Sequence, residues 1–188
     1  TQAVLMLGHG PVTNNCTYFS SETDLIYGFL DWIEHYDPDI LIGWNCINFD
    51  LRFLHNACER LGLKFNIGRN NEAVEWRTSY QNSSGNNRSD HYFILVPGRA
   101  VLDGIDTLKT ATYNFPSFSL DYVSSQLLGL HKKVDDVDNR VKEITNNFHH
   151  DKLALAAYNL EDCRLVTLIF EHTQLLEFAM LRAQLTGL

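Results

Sequence analysis

The stretch Asp39–Leu54, DILIGWNCINFDLRFL, constrains the fold more than any other part of this chain. Its first six residues form a short and almost wholly apolar run, which is how a parallel strand buried on both faces reads. A helical pattern precedes it: SSETDLIYGFLDWIEHYDPD carries apolar residues at Leu25, Ile26, Phe29, Leu30 and Ile33 and ends at Asp37-Pro38. A second helical pattern comes after it, with Leu51, Leu54, Ala57, Cys58 and Leu61 on one face and Gly62 as the stop. Helix, strand and helix in succession predict an α/β layer architecture with right-handed crossovers. The boundary between strand and second helix is oddly polar. Asn45 leaves the strand directly, and Asp50 stands between Phe49 and Leu51 in the first helical turn, beyond the carboxyl end of a parallel strand, where open α/β sheets line their ligand crevice.

The rest of the chain extends the same alternation. Ala3–Gly8 (AVLMLG) and CTYFS read as a strand pair around the turn-rich GHGPVTNN. Residues from about 66 to 98 form a two-stranded excursion, EWRTSY and HYFILV, around a flexible tip QNSSGNNRSD. GRAVLDGIDTL returns to a strand and a short helix. PSFSLDYVSSQLLG is a capped helix with Leu120, Val123, Leu127 and Leu128 on one face. The last long helix runs from about His150 to His172 and packs on the sheet through Leu153, Ala157, Leu160, Leu165, Leu168 and Ile169. His149-His150 read as its start rather than as a metal site.

Composition narrows the function. A net charge of −8 excludes a broadly phosphate-binding surface, so any nucleic-acid contact is local. Arg69, Arg77, Arg88 and Arg99 are the candidates for such contacts near the excursion, with an ordinary solvated surface as the alternative. Cys16, Cys46, Cys58 and Cys163 include no C-x-x-C pair, so neither a zinc knuckle nor a disulfide framework is indicated, and a reducing compartment fits best. No run approaches the roughly 18 apolar residues of a membrane span. Asn82-Ser83-Ser84 and Asn87-Arg88-Ser89 match the glycosylation pattern but read as loop in a cytoplasmic protein.

Tyr158 and Asp162 lie four apart in YNLEDCRLV, hence on one helical face. If that helix crosses the carboxyl edge of the sheet, Asp162 and Asp50 converge. Converging carboxylates suit hard divalent cations. Two such ions roughly 3.5–4 Å apart activate an attacking water and stabilise a leaving oxygen, the arrangement of phosphodiester hydrolysis. Taken singly, each feature has a plainer explanation: an Asp in a first helical turn answers the macrodipole, and Tyr and Asp at helical spacing are often core edge and surface.

In this order the motifs resemble a family. N-x-x-x-F-D, here Asn45 to Asp50 after DPDILIGW, is similar to the second exonuclease motif of family B DNA polymerases, and Y-x-x-x-D, Tyr158 to Asp162, to the third. SFSLDYVSSQLLGLHKK between them resembles the family's Ser-x-Ser-Leu helix, and LRAQLTGL the start of its connection to the polymerase core. The resemblance implies a ribonuclease-H-like (DnaQ-like exonuclease) layered fold with a mixed sheet, and a proofreading 3′–5′ exonuclease using four acidic residues and two divalent metals, magnesium or manganese. It implies that Asp50 and Asp162 are metal ligands, that Tyr158 holds the nucleophilic water, and that Asn45 and Phe49 support the 3′-terminal nucleotides. Ala157 stands where a sister subclass has His, which marks the tyrosine class. The partners implied are a single-stranded or frayed 3′ end of DNA and a polymerase core in the same chain, in the bacterial cytoplasm at the nucleoid.

The family's first motif, an Asp-x-Glu on a central strand, has no counterpart in these residues. Asp37-Pro38-Asp39, Glu22-Thr23-Asp24 and the pair Asp103 and Asp106 do not substitute for it. The expectation is therefore a single exonuclease domain over residues 1–188, truncated at its N-terminal strands, binding metal weakly and nearly inactive alone. The gap beside Asp39–Trp44 is expected to be filled by Ala3–Leu7 or by a second chain, giving a homodimer through the exposed sheet edge. The alternative function is a non-catalytic scaffold guiding DNA within a polymerase.

Overall fold

The computed structural model describes residues 1–80, 90–130 and 137–187, and its contacts divide the chain into two compact units. The first comprises Thr1–Ser21 with Thr107–Leu188, and the second Glu22–Asp106. The loop tip, both glycosylation patterns and Arg88 lie outside the described residues, apart from Asp90 at the start of a strand.

The second unit holds the opening stretch. Helix α1 (Glu22–Tyr36) buries Ile26 and Ile33 and carries Glu22 and Asp24 in its first turn, where the positive end of the helix dipole favours them. Strand β3 (Ile40–Gly43) pairs in parallel with β6 (Ala100–Asp103), Ile40 opposite Ala100 and Gly43 opposite Asp103. Among the described residues β3 has this one partner, and Ile42 is 40% exposed. The expectation of a strand covered on both faces therefore fails at Ile42. Helix α2 (Arg52–Leu61) ends at Gly62, which takes a left-handed φ of 69° at the cap. Strands β4 (Glu75–Tyr80) and β5 (Asp90–Leu95) form the expected antiparallel excursion. The core joins Ile26, Ile33, Leu51, Ala57, Cys58, Phe65, Ile67 and Val96. Its apolar side chains come from both helices and the excursion, which is why the hairpin is seated on the unit and not left projecting.

Two arginines tie the corner between α1 and β3. Arg99, with a side chain only 3% exposed, donates to Asp37 Oδ1 at 2.8 Å and to the Ile67 carbonyl at 2.9 Å. Arg69 donates to Asp37 Oδ1 at 2.9 Å, to the Gly98 carbonyl at 2.8 Å and to Asp39. Both guanidinium groups are thus occupied by carboxylates and carbonyls, so the phosphate role considered for them is replaced by a structural one.

In the first unit, β1 (Val4–Leu7) pairs in parallel with β2 (Cys16–Phe19). Within Ala3–Leu7, nominated to fill the gap, Val4–Leu7 has β2 as its strand partner among the described residues. Helix α3 (Gly104–Thr110) runs across the boundary of the units. Helix α4 (Leu120–Leu128) is capped by Ser119, whose hydroxyl accepts from the Tyr122 N–H at 3.3 Å. The last long helix expected from about His150 to His172 is α6 (Lys152–Thr173), with α5 (Val137–His150) before it and α7 (Leu175–Thr186) after it. Asp151 makes the first break, its carboxylate accepting from the Ala154 N–H at 2.9 Å. His149-His150 thus close a helix instead of opening one. The buried face of α6 is Leu155, Ala156, Leu165, Val166, Ile169 and Phe170, while Leu153 and Ala157 are exposed. Of the stripe expected from periodicity, Leu165 and Ile169 are buried and Leu160 and Leu168 are half-buried. Leu155 and Ala156 pack with Met6 and Cys16.

Candidate active site

The site begins where β3 and β6 end side by side. Gly43 is required there: a Cβ would meet the Cys46 Cβ at 2.5 Å. Gly104, at the matching end of β6, approaches Trp44 so closely that a Cβ would lie 2.8 Å from its ring. Asn45 takes a left-handed φ of 57°, which short polar side chains tolerate, and turns the chain over the strand ends. Where the periodicity predicts the first turn of an α-helix, the chain instead forms a π-helical turn, Ile47–Leu51, in which the Leu51 N–H reaches the Cys46 carbonyl at 2.8 Å. Such turns occur often at functional sites, because the extra residue changes the direction of the side chains it carries. Here it carries Phe49, 65% exposed, and Asp50.

Asp103 builds this turn from below. It is 3% exposed, and one carboxylate oxygen accepts from the Ile47 N–H at 3.3 Å while the other accepts from the Ile105 N–H at 3.0 Å. One side chain thereby fastens both the π turn and the start of α3. Asp103 thus has an architectural function, though the sequence marks it only as a poor replacement for the missing motif. Asp106 lies 3.4 Å from His91 Nε2. The signal that could have exposed the role of Asp103 is its position, the last residue of an apolar strand immediately before a glycine.

The electrostatics are those of crowded acids. Desolvation, reinforced by the charge of Asp103, pushes the Asp50 carboxyl up to about 6 although the residue as a whole remains exposed. Burial first, then the charge of Asp106, raises Asp103, and its backbone hydrogen bonds oppose this. Burial with the charges of Asp103 and Asp50 pushes the Cys46 thiol to about 12, so it remains protonated and is neither a thiolate ligand nor a nucleophile near neutrality.

Tyr158 and Asp162 belong to α6 in the first unit, one helical turn apart and both half-buried. Beside them Glu161 is held bidentately by Arg164, with both distances 2.8 Å. The structure thus groups Asn45, Phe49 and Asp50 in one unit and Tyr158 and Asp162 in the other. Among the described residues, no group of three or more His, Cys, Asp or Glu is arranged to hold a metal. Asp50 by itself suits a hard cation: an oxygen donor whose ionisation is disfavoured by its surroundings and would be relieved by positive charge. Both oxygens of Asp103 already accept from amides, so Asp103 does not offer a spare oxygen donor beside Asp50.

Residues 6–123 match the family described as DNA polymerase family B, exonuclease domain, and the chain belongs to that family. Exonuclease domains of this kind use divalent metals. Among individual relatives, it is 42% identical to DNA polymerase II of Escherichia coli (strain K12) over 172 residues, 91% of this chain and 21% of that protein. It is 28% identical to the DNA polymerase of Thermococcus kodakarensis over 90% of this chain and 9% of that protein, and 29% identical to the DNA polymerase delta catalytic subunit of Oryza sativa over 90% and 15%. The chain therefore spans about a fifth or less of the length of these relatives.

Proposed function

We propose that these residues form the proofreading 3′–5′ exonuclease of a DNA polymerase, removing 3′-terminal nucleotides by metal-assisted hydrolysis. The observation that carries the reading is a carboxyl raised to about 6, presented on a π turn at the joint carboxyl ends of two parallel strands, within a family match that covers that turn. Residues 1–188 are read as a single exonuclease domain of the ribonuclease-H-like class. Asp50 and Asp162 are the chain's metal ligands. Bound divalent cations, magnesium or manganese, would supply an activated water and charge neutralisation at the leaving oxygen. Tyr158 orients the water through its hydroxyl. Phe49 offers a face for stacking on the terminal base, and Asn45 sets the direction in which Phe49 and Asp50 leave the strand. The partners are a single-stranded or frayed DNA 3′ end and the polymerase core of a longer polypeptide, at the bacterial nucleoid. No described helix is long and apolar enough to cross a membrane.

The 188 residues contain no Asp-x-Glu, which limits what they do by themselves. They hold metal weakly and turn over slowly, and two copies associate through the edge of β3 that has no strand partner among the described residues. The same gap favours the second reading, a non-catalytic element that guides DNA. A chimera separates the two. With residues 1–188 exchanged for the matching segment of the E. coli polymerase II, excision of a 3′-labelled mismatch is expected to persist, and Asp50→Ala or Asp162→Ala to lower it at least about a hundredfold with polymerisation retained. A chimera that polymerises and never excises would support the guiding role.

A further inference from the structure

The β4–β5 hairpin and the turn bearing Phe49 and Asp50 are fastened together by two contacts that the chemistry above does not use. The Asn48 side-chain oxygen accepts a hydrogen bond from the Tyr92 backbone N–H at 3.1 Å. Four residues further on, the Arg52 guanidinium lies 4.8 Å from the centroid of the Tyr92 ring and 5.3 Å from that of Trp76. Those two rings meet edge to face, with centroids 6.4 Å apart. A planar guanidinium fits two ring faces in a way a compact ammonium does not.

Asn48 and Arg52 bracket Phe49 and Asp50 in the sequence, one before the pair and one after. A five-residue π turn has little stability of its own, so its shape follows whatever anchors it. Asp103 anchors its first residue at the Ile47 N–H, and the hairpin anchors Asn48 and the residue just beyond the turn.

We propose that Asn48 and Arg52 are positioning residues that seat the Phe49–Asp50 turn on the β4–β5 hairpin, so that presentation of Phe49 to a nucleobase depends on the hairpin being docked. The second clause rests on the reading of Phe49 as a nucleotide contact. Arg52 accordingly gives its charge to ring faces and not to a phosphate.

The test uses the chain itself with EDTA present. Asn48→Ala and Tyr92→Leu leave the net charge unchanged, and Arg52→Lys and Arg52→Met separate charge from planar stacking. Amide hydrogen exchange reads the turn, and fluorescence anisotropy with a four-residue thymidine oligonucleotide reads Phe49. Asn48→Ala and Tyr92→Leu are expected to speed exchange across Ile47–Leu51 by about tenfold, with exchange in α1 unchanged. Both are expected to weaken oligonucleotide binding by about threefold or more, and the double variant to do little more than either. Arg52→Lys should retain part of what Arg52→Met loses. Wild-type exchange at Ile47–Leu51 in both neutral variants would overturn the seating, and a loosened turn with unaltered affinity would overturn its consequence for Phe49. A wild-type chain that does not bind the oligonucleotide, with a turn still loosened by the variants, would sink the nucleotide reading and uphold the seating.

Discussion

At the residue scale, Asp50 and Asp103 are two acids under one roof with opposite duties. Asp50 has a carboxyl raised from 3.8 to about 6 in the folded chain, so its contribution to stability is fully present below pH 4 and is lost as the pH rises through 6. Asp50→Asn should therefore stabilise the metal-free chain at pH 7.5, by about 1 kcal/mol after solvent screening, and give no gain at pH 4. Urea unfolding at the two pH values in EDTA measures the difference. Asp103→Ala should act in the reverse sense, costing about 2 kcal/mol because it strands the buried Ile47 N–H and the half-buried Ile105 N–H. Asp103→Asn, which keeps one acceptor, should cost about half as much. The candidate carboxylate at position 50 was legible from its place after an apolar strand. The supporting carboxylate at 103 was not, since nothing in a local pattern says that a side chain 56 positions away holds the turn.

At the scale of elements, the order of strands and helices through Thr110 was readable from periodicity, and the C-terminal region was readable only in part. The helix expected from His150 to His172 is α6, and it is set apart from α5 and α7 because Asp151 caps its start and Gln174 takes a left-handed φ of 52° at its end. Asp151→Ala should cost about 1 kcal/mol, seen as a lower midpoint in thermal unfolding by circular dichroism. The α1–β3 corner makes a second prediction. The Arg69 hydrogen bond, with a lesser contribution from Arg99, holds the Asp37 carboxyl below 3.8. The stability it adds is present above pH 4 and is lost as the pH falls through that lowered value. Nuclear magnetic resonance titration of the Arg69 and Arg99 side-chain N–H signals should show both released together in acid, and Asp37→Asn should release them at neutral pH.

For the molecule as a whole, two compact units each hold part of the residues that the family resemblance nominates. Calorimetric titration of the 188-residue chain with manganese should show weak binding, and incubation with 3′-labelled single-stranded DNA should show turnover far below that of an intact polymerase. Solution scattering should show association of two copies, and a strictly monomeric species would remove the edge-pairing reading of β3. The sequence by itself determined the α/β class, the family, and the identity of Asn45, Phe49, Asp50, Tyr158 and Asp162 as candidates, because apolar periodicity and short motifs are local properties of a chain. Only the tertiary structure decided that Asp50 rides a π turn, that Asp103 and the hairpin hold that turn, and that Arg69 and Arg99 are bound to carboxylates. Those outcomes depend on desolvation and on hydrogen bonds between residues far apart in the chain, and such terms exist only once distant segments are packed together.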